Sequence, residues 1–306
     1  MELHCRERED LLSESPVKSR PVRAFGDAVL TRGDRVRRNL MILERSCSKQ
    51  RAVTVQSRTR RILTGWMLQV CEEQMCEQEV FPLAVHYMDS YISHNAVHSG
   101  ALQLLGCGCM FLASKLRDSI PLSATKLCVY TDHAVTIPEI LQWEVLLASS
   151  LYWDLAAVLP SDFLELLLPA LPVPSQTHGS IRRHTHCYIA LGATGAQTTT
   201  THRRSATVAS QTPAGFSGLR TVVFFIRQGS KEAVEVQFSC FLPSVLCMAC
   251  VSCAVLRLKL LQTDTKSSEG VLQVLRDELD ADMVSLRKCF SLLQDTIERT
   301  FPEGER

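Results

Sequence analysis

The chain has 306 residues, enough for one large domain or two ordinary ones, and 46% of them are hydrophobic, enough for a packed core. Its 33 Lys and Arg against 32 Asp and Glu leave a formal charge of +1, which argues against a broad electrostatic footprint for nucleic acid. The 13 cysteines have no regular spacing and follow an N-terminus, MELHCRERED, that is charged from its second residue. No export signal is expected, and the thiols are expected to stay reduced in cytoplasm or nucleus.

Residues 1–35 are polar, Arg-rich and short of aromatics, and read as a flexible, solvated arm. Between Asp34 and Glu44, Val36, Leu40, Met41 and Leu43 fall at roughly helical spacing. From Arg58 the helical signal strengthens: Ile62, Leu63, Trp66, Met67 and Val70 share one face. Glu77 to Ser93 repeats the pattern with Val80, Leu83, Ala84, Tyr87, Met88 and Tyr91. Residues 101–116 are apolar nearly all round, the mark of a helix buried on every side. Ser123 is a candidate N-cap for the next helix. Pro138 sits in the first turn of a fifth, which runs to about Leu151. Five helices with short links predict an all-α bundle around a central buried one.

Past Pro160 and Ser161 a further apolar helix begins at Asp162 and is broken by Pro169, Pro172 and Pro174. Residues 179–194 read as helical again. Residues 219–262 differ in kind, with a β-branched and aromatic run (TVVFFI) and a Cys-rich apolar run (FLPSVLCMACVSCAVL). The pattern returns to a helix pair from Val271 to Phe301.

The stretches WMLQVCEEQMCEQEVFPLAV, MFLASKLRDSIPLSATKLCVYTDHAV and LYWDLAAV resemble the first cyclin box of a D-type cyclin. The resemblance is strong from Arg58 to Leu164 and weak near residues 179–194 and 271–301. It implies an all-α protein of two tandem five-helix cyclin-box folds. An arm (1–54) precedes the first box (55–157), and the second (158–301) is degraded or interrupted by an atypical insertion at 219–262, before a tail (302–306). Translated intron or a wrongly joined exon would account for such an insertion.

The same resemblance implies function. The chain would be the non-enzymatic regulatory subunit of a G1 cyclin-dependent kinase, in nucleus and cytoplasm, with no cofactor of its own. Lys115, in Ala-Ser-Lys, and Glu144, in QWEVLL, would be the polar pair that grips the kinase. Physically, a charged pair within an apolar surface can bind a partner's backbone and fix its register. Thr59-Arg60-Arg61-Ile62-Leu63 with Trp66, and Gln103, correspond to the family's substrate-docking patch, with Ile62, Leu63, Trp66 and Gln103 carrying it. Thr59 replaces a usual Met and Gln69 a usual acidic residue. Leu3, Cys5 and Glu7 fit Leu-x-Cys-x-Glu, by which the family binds retinoblastoma-type pocket proteins. Extended, such a segment points all three side chains the same way. Kinase inhibitor proteins are a further partner class, and nucleic acid is not expected.

Other patterns carry less. Cys247, Cys250 and Cys253 begin an iron–sulfur spacing that no Cys-Pro completes. Cys71 and Cys76 have no matching second pair for zinc. No His has a nucleophile context, and no glycine loop suits phosphate. Phe238 to Leu256 is apolar enough to raise a membrane anchor, but Pro243 and three serines interrupt it. Two alternatives to an activating cyclin are therefore a pseudo-cyclin that binds kinase or inhibitor without activating, and a membrane-tethered interaction protein.

Overall fold

The computed structural model describes residues 34–47, 57–195, 238–260 and 268–301. All regular structure among them is helical, as expected.

The first set comprises α1 (Arg35–Cys47), α2 (Ser57–Glu73), α3 (Val80–His94), α4 (Leu102–Arg117), α5 (Ala124–Tyr130) and α6 (Ile137–Ser150). The start signals operate as read. The Ser123 hydroxyl accepts from the Lys126 N–H at 3.2 Å, satisfying an orphan donor of the first turn. Pro138 stands in the first turn of α6, and Glu139 accepts from the Thr136 N–H at 2.8 Å. On α4 every residue from Leu105 to Ser114 is buried. It packs against α2, α3, α5 and α6, so its all-round apolarity is the requirement of a central position. Its large apolar side chains, Leu105, Met110 and Phe111, contribute roughly 1.5–3 kcal/mol each when fully buried.

Residues 151–159 lead to the second set, where Tyr87 Oη holds the crossing by donating to the Leu155 carbonyl at 2.5 Å. A 3-10 turn (Pro160–Phe163) precedes α7 (Leu164–Leu167), α8 (His178–Thr194), α9 (Pro243–Arg257), α10 (Ser268–Leu279) and α11 (Met283–Thr300). Here α9 is central. Every residue from Ser244 to Val255 is buried, against α8, α10, α11 and the Pro160–Phe163 turn.

That position concerns part of the stretch read as an insertion, of which residues 238–260 are described. Residues 243–257 are the core around which the second set packs, and the Cys, Ala and Ser content of α9 suits close approach from all sides. The TVVFFI run lies outside the described residues. At 15 residues α9 is also shorter than the roughly 20 needed to span a bilayer. Ser99–Arg117 is long and apolar enough to cross one, but it holds α4, the core of the first set.

A long-range contact closes the second set. Glu44 on α1 is 1% exposed. Its carboxylate accepts from the Ser244 N–H at 2.9 Å and the Ser244 hydroxyl at 2.8 Å. A carboxylate there satisfies free donors at the N-terminus of α9 and meets the positive end of the helix dipole. Burial raises the Glu44 pKa, while the Ser244 bonds oppose the shift.

Helix exits share one device. At the ends of α2, α5, α6, α9 and α10 the chain turns through a left-handed residue: Met75, Asp132, Tyr152, Lys259 and Asp280, with φ of 53°, 54°, 55°, 52° and 49°. Each is followed by an amide that reaches back five residues. Cys76 donates to the Cys71 carbonyl at 2.9 Å, His133 to Cys128 at 3.0 Å, Trp153 to Ala148 at 2.8 Å, and Leu260 to Val255 and Ala281 to Arg276 at 3.3 Å. This is the Schellman motif with a side chain where glycine is usual. A non-glycine residue pays about 1–2 kcal/mol there.

Two stability predictions follow from these contacts. Glu44→Ala should lower unfolding free energy by about 1.5–3 kcal/mol, the range for hydrogen bonds to a charged group, and Glu44→Gln should lose less, both read from urea midpoints. Lys259→Gly should raise stability by about 0.5–1 kcal/mol, because relief of the left-handed strain exceeds the entropy glycine adds to the unfolded chain.

Candidate functional site

Two glycines on α4 let its neighbours come close. A Cβ at Gly108 would fall 2.8 Å from Leu147 Cδ1 and 3.4 Å from Trp143 Cβ on α6. One at Gly106 would fall 3.0 Å from Leu63 Cδ1 and 3.2 Å from Trp66 Cζ3 on α2. Seven residues beyond Gly108, two turns on and on nearly the same face, is Lys115.

Lys115 Nζ lies 3.0 Å from Glu144 Oε1 and 3.1 Å from Oε2, and 4.0 Å from the centre of the Phe111 ring. The side chains are 37% and 21% exposed. An ion pair this open contributes about 0–1 kcal/mol to stability, so the fold gains little from it. Its surroundings are apolar and exposed: Leu116 in the last turn of α4 and Ile120 beyond it, Leu141 and Val145 on α6. A half-desolvated pair among exposed aliphatic groups can offer donors and acceptors to a docking backbone while apolar area is buried around it.

The four residues of the expected docking patch separate. Ile62 is 62% exposed and Trp66 half-buried, whereas Leu63 is 8% exposed and belongs to the core under α4. Leu63 is therefore corrected from a docking side chain to a support. Successive helical residues lie about 100° apart, which here leaves Ile62 outward and turns Leu63 toward α4. Half-buried Gln103 lies one turn before Gly106 on α4, on the side that meets Trp66. Gln69, in place of an acidic residue, donates to Glu73 Oε1 at 2.8 Å, so a carboxylate stands one turn further along α2. Leu3, Cys5 and Glu7 lie outside the described residues.

Sequence reasoning gave Arg60 no role, and the structure gives it a structural one. Its guanidinium donates to Asp89 on α3 at 2.8 and 2.7 Å and to the Ala193 carbonyl on α8 at 3.0 Å. The side chains of Arg60 and Asp89 are 8% and 11% exposed. One turn on, Thr64 Oγ1 donates to the Thr194 carbonyl at 3.2 Å. Together they satisfy carbonyls at the C-terminus of α8 and tie it to α2 and α3. Nearby, burial holds the His86 imidazole below its usual pKa, against the pull of Asp89 and Asp154. An Arg beside two other arginines gives no sequence sign of burial. The thiols of Cys247, Cys250 and Cys253 are pushed up by burial, and among the described residues no group of His, Cys, Asp and Glu is placed to hold a metal ion.

Residues 34–156 match the family described as the cyclin N-terminal domain. Over 178 residues the chain is 47% identical to G1/S-specific cyclin-D2 of Gallus gallus, covering 56% of this chain and 61% of that protein. It is 44% identical to G1/S-specific cyclin-D1 of Homo sapiens over 178 residues, covering 56% and 60%. A viral cyclin from herpesvirus saimiri shares the fold, with a TM-score of 0.66 at 19% identity over 87% of this chain and 98% of that one. Residues 34–156 are thus a cyclin N-terminal domain. Across the span of those sequence matches the chain is similar to D-type cyclins, and it spans about three-fifths of the length of the curated relatives it matches.

Breaking the Arg60–Asp89 pair has a measurable cost. Arg60→Ala or Asp89→Ala should each destabilise the chain by about 3–5 kcal/mol, since either leaves a buried charge uncompensated. A double-mutant cycle in denaturant should show strong coupling, with the double variant losing much less than the sum.

Proposed function

We propose that this chain is the regulatory subunit of a G1 cyclin-dependent serine/threonine kinase. It binds and activates the kinase, directs it to retinoblastoma-type proteins and so promotes the G1/S transition. The observation that carries this reading is the Lys115–Glu144 pair set among exposed Leu116, Ile120, Leu141 and Val145. The identity to proteins named G1/S-specific cyclins supports it. Catalytic groups and ATP belong to the partner. The cyclin acts by holding one arrangement of the kinase's mobile helix and activation loop.

In this proposal the second helical set is the second cyclin box, a reading the extent of the viral cyclin match supports. Ile62, Trp66 and Gln103 recruit substrate peptides or inhibitor proteins over the floor that Leu63 supports. Leu3, Cys5 and Glu7 hold the pocket protein, and the complex works in nucleus and cytoplasm.

Co-purification with a G1 cyclin-dependent kinase and phosphorylation of a retinoblastoma fragment test the proposal together. Lys115→Ala with Glu144→Ala should weaken binding at least tenfold, about 1.4 kcal/mol, with activity lost in parallel. The helical content and melting temperature should hardly move, because the exposed pair contributes so little to the fold. Binding by the double variant equal to that of the parent would sink the assignment. Binding by the parent without kinase activity would replace an activator with a pseudo-cyclin.

A further inference from the structure

The turn that ends α2 brings two cysteines together. In its Schellman motif, Cys71 supplies the carbonyl and Cys76 the amide of the 2.9 Å bond, with Met75 left-handed between them. The Met75 N–H also reaches the Glu72 carbonyl, at 3.0 Å. This motif commonly carries a side-chain contact between the same two positions, usually an apolar one. Here both of those positions are cysteines, and both are free. Cys71 is buried and Cys76 half-buried, so one sulfur is reachable from solvent and the other lies behind it. Cys247, Cys250, Cys253 and Cys289 are also neighbours, but all four are buried in the second set.

We infer that Cys71 and Cys76 form a peroxide-oxidisable dithiol, a modification site at the C-terminal turn of α2. Hydrogen peroxide oxidises the accessible Cys76 thiol to a sulfenic acid and releases one water. The Cys71 sulfur then attacks the Cys76 sulfur. The S–S bond forms, the S–O bond breaks, and hydroxide leaves with the Cys71 proton as a second water. Two thiols and one peroxide thus become one disulfide and two waters. Its hydrogen bond to Cys76 and burial hold the Cys71 thiol well above the usual range, so Cys76 and not Cys71 is the first sulfur oxidised.

The turn adjoins the end of α4. The Glu77 N–H donates to Asp118 Oδ2 at 3.2 Å, and Glu79 pairs with Arg117 at 3.1 Å. A staple between Cys71 and Cys76 therefore constrains residues bonded to the segment that follows Lys115.

The test uses the full chain, treated with a small excess of hydrogen peroxide, blocked with alkylating reagent and cut by a protease that cleaves after glutamate. Cleavage at Glu72 and Glu73 separates the two cysteines unless they are linked. The expected product is a Cys71–Cys76 linked peptide pair, lighter than the two thiol peptides by two hydrogen atoms and resolved by dithiothreitol. Cys76→Ser should abolish it and leave Cys71 as a thiol. Cys71→Ser should leave a Cys76 sulfenic acid that dimedone traps. If peroxide oxidises half-buried Cys128 while Cys71 and Cys76 remain thiols, or drives Cys76 to sulfinic acid with no link, the inference is overturned. The readout is a mass and does not depend on kinase binding.

Discussion

Two charges taken out of water set the terms for the rest of this molecule. The desolvation of Arg60 and Asp89 costs several kcal/mol per ion and is offset only when geometry is good and the remaining donors are satisfied. Both conditions hold: the pair is bidentate, and the guanidinium has a carbonyl of α8 as well. The requirement fixes α2 relative to α3 and to the end of α8 at once. With α2 fixed from behind, Ile62 and Trp66 are displayed in front, and Leu63 closes on Gly106. A buried residue of α2 thus holds in place the helix that displays Ile62 and Trp66.

The central helices show how small residues position charged ones. Gly108 admits Leu147 and Trp143, so α4 and α6 run close enough for Lys115 to reach Glu144 two turns along. The pair adds little to stability, yet its position follows from packing that does. In the second set α9 has the same role as α4, with cysteine, alanine and serine in place of glycine and leucine. Both sets therefore wrap a helix that has no solvent face.

Much of this was legible in the sequence. Apolar periodicity marked α2 and α3, all-round apolarity marked α4, Ser123 and Pro138 marked the starts of α5 and α6, and resemblance named Lys115 and Glu144 as a pair before any distance was known. What was missed has physical reasons. The helix exits use Met, Asp, Tyr and Lys where glycine would have announced the turn, so the left-handed residues had no sequence mark. A helix buried all round lacks an amphipathic period, so nothing in the pattern of residues 243–257 marked α9 as the centre of the second set. Leu63 and Ile62 were placed together because sequence adjacency hides the 100° turn between them.

The bond between Glu44 and Ser244 joins residues 200 apart in the chain. During synthesis at about 5–20 residues per second, Glu44 leaves the ribosome some 10–40 s before its partner. The helices of the first set can pack within that interval, since their contacts are mostly between neighbours in sequence. Glu44 cannot reach its native partner until α9 has emerged. Until then its carboxylate is best left in water, for burial without the Ser244 donors would cost the full desolvation of a charge. One of the first elements translated thus waits for a helix made some 200 residues later, and a nascent chain truncated before α9 would hold Glu44 without its Ser244 partner.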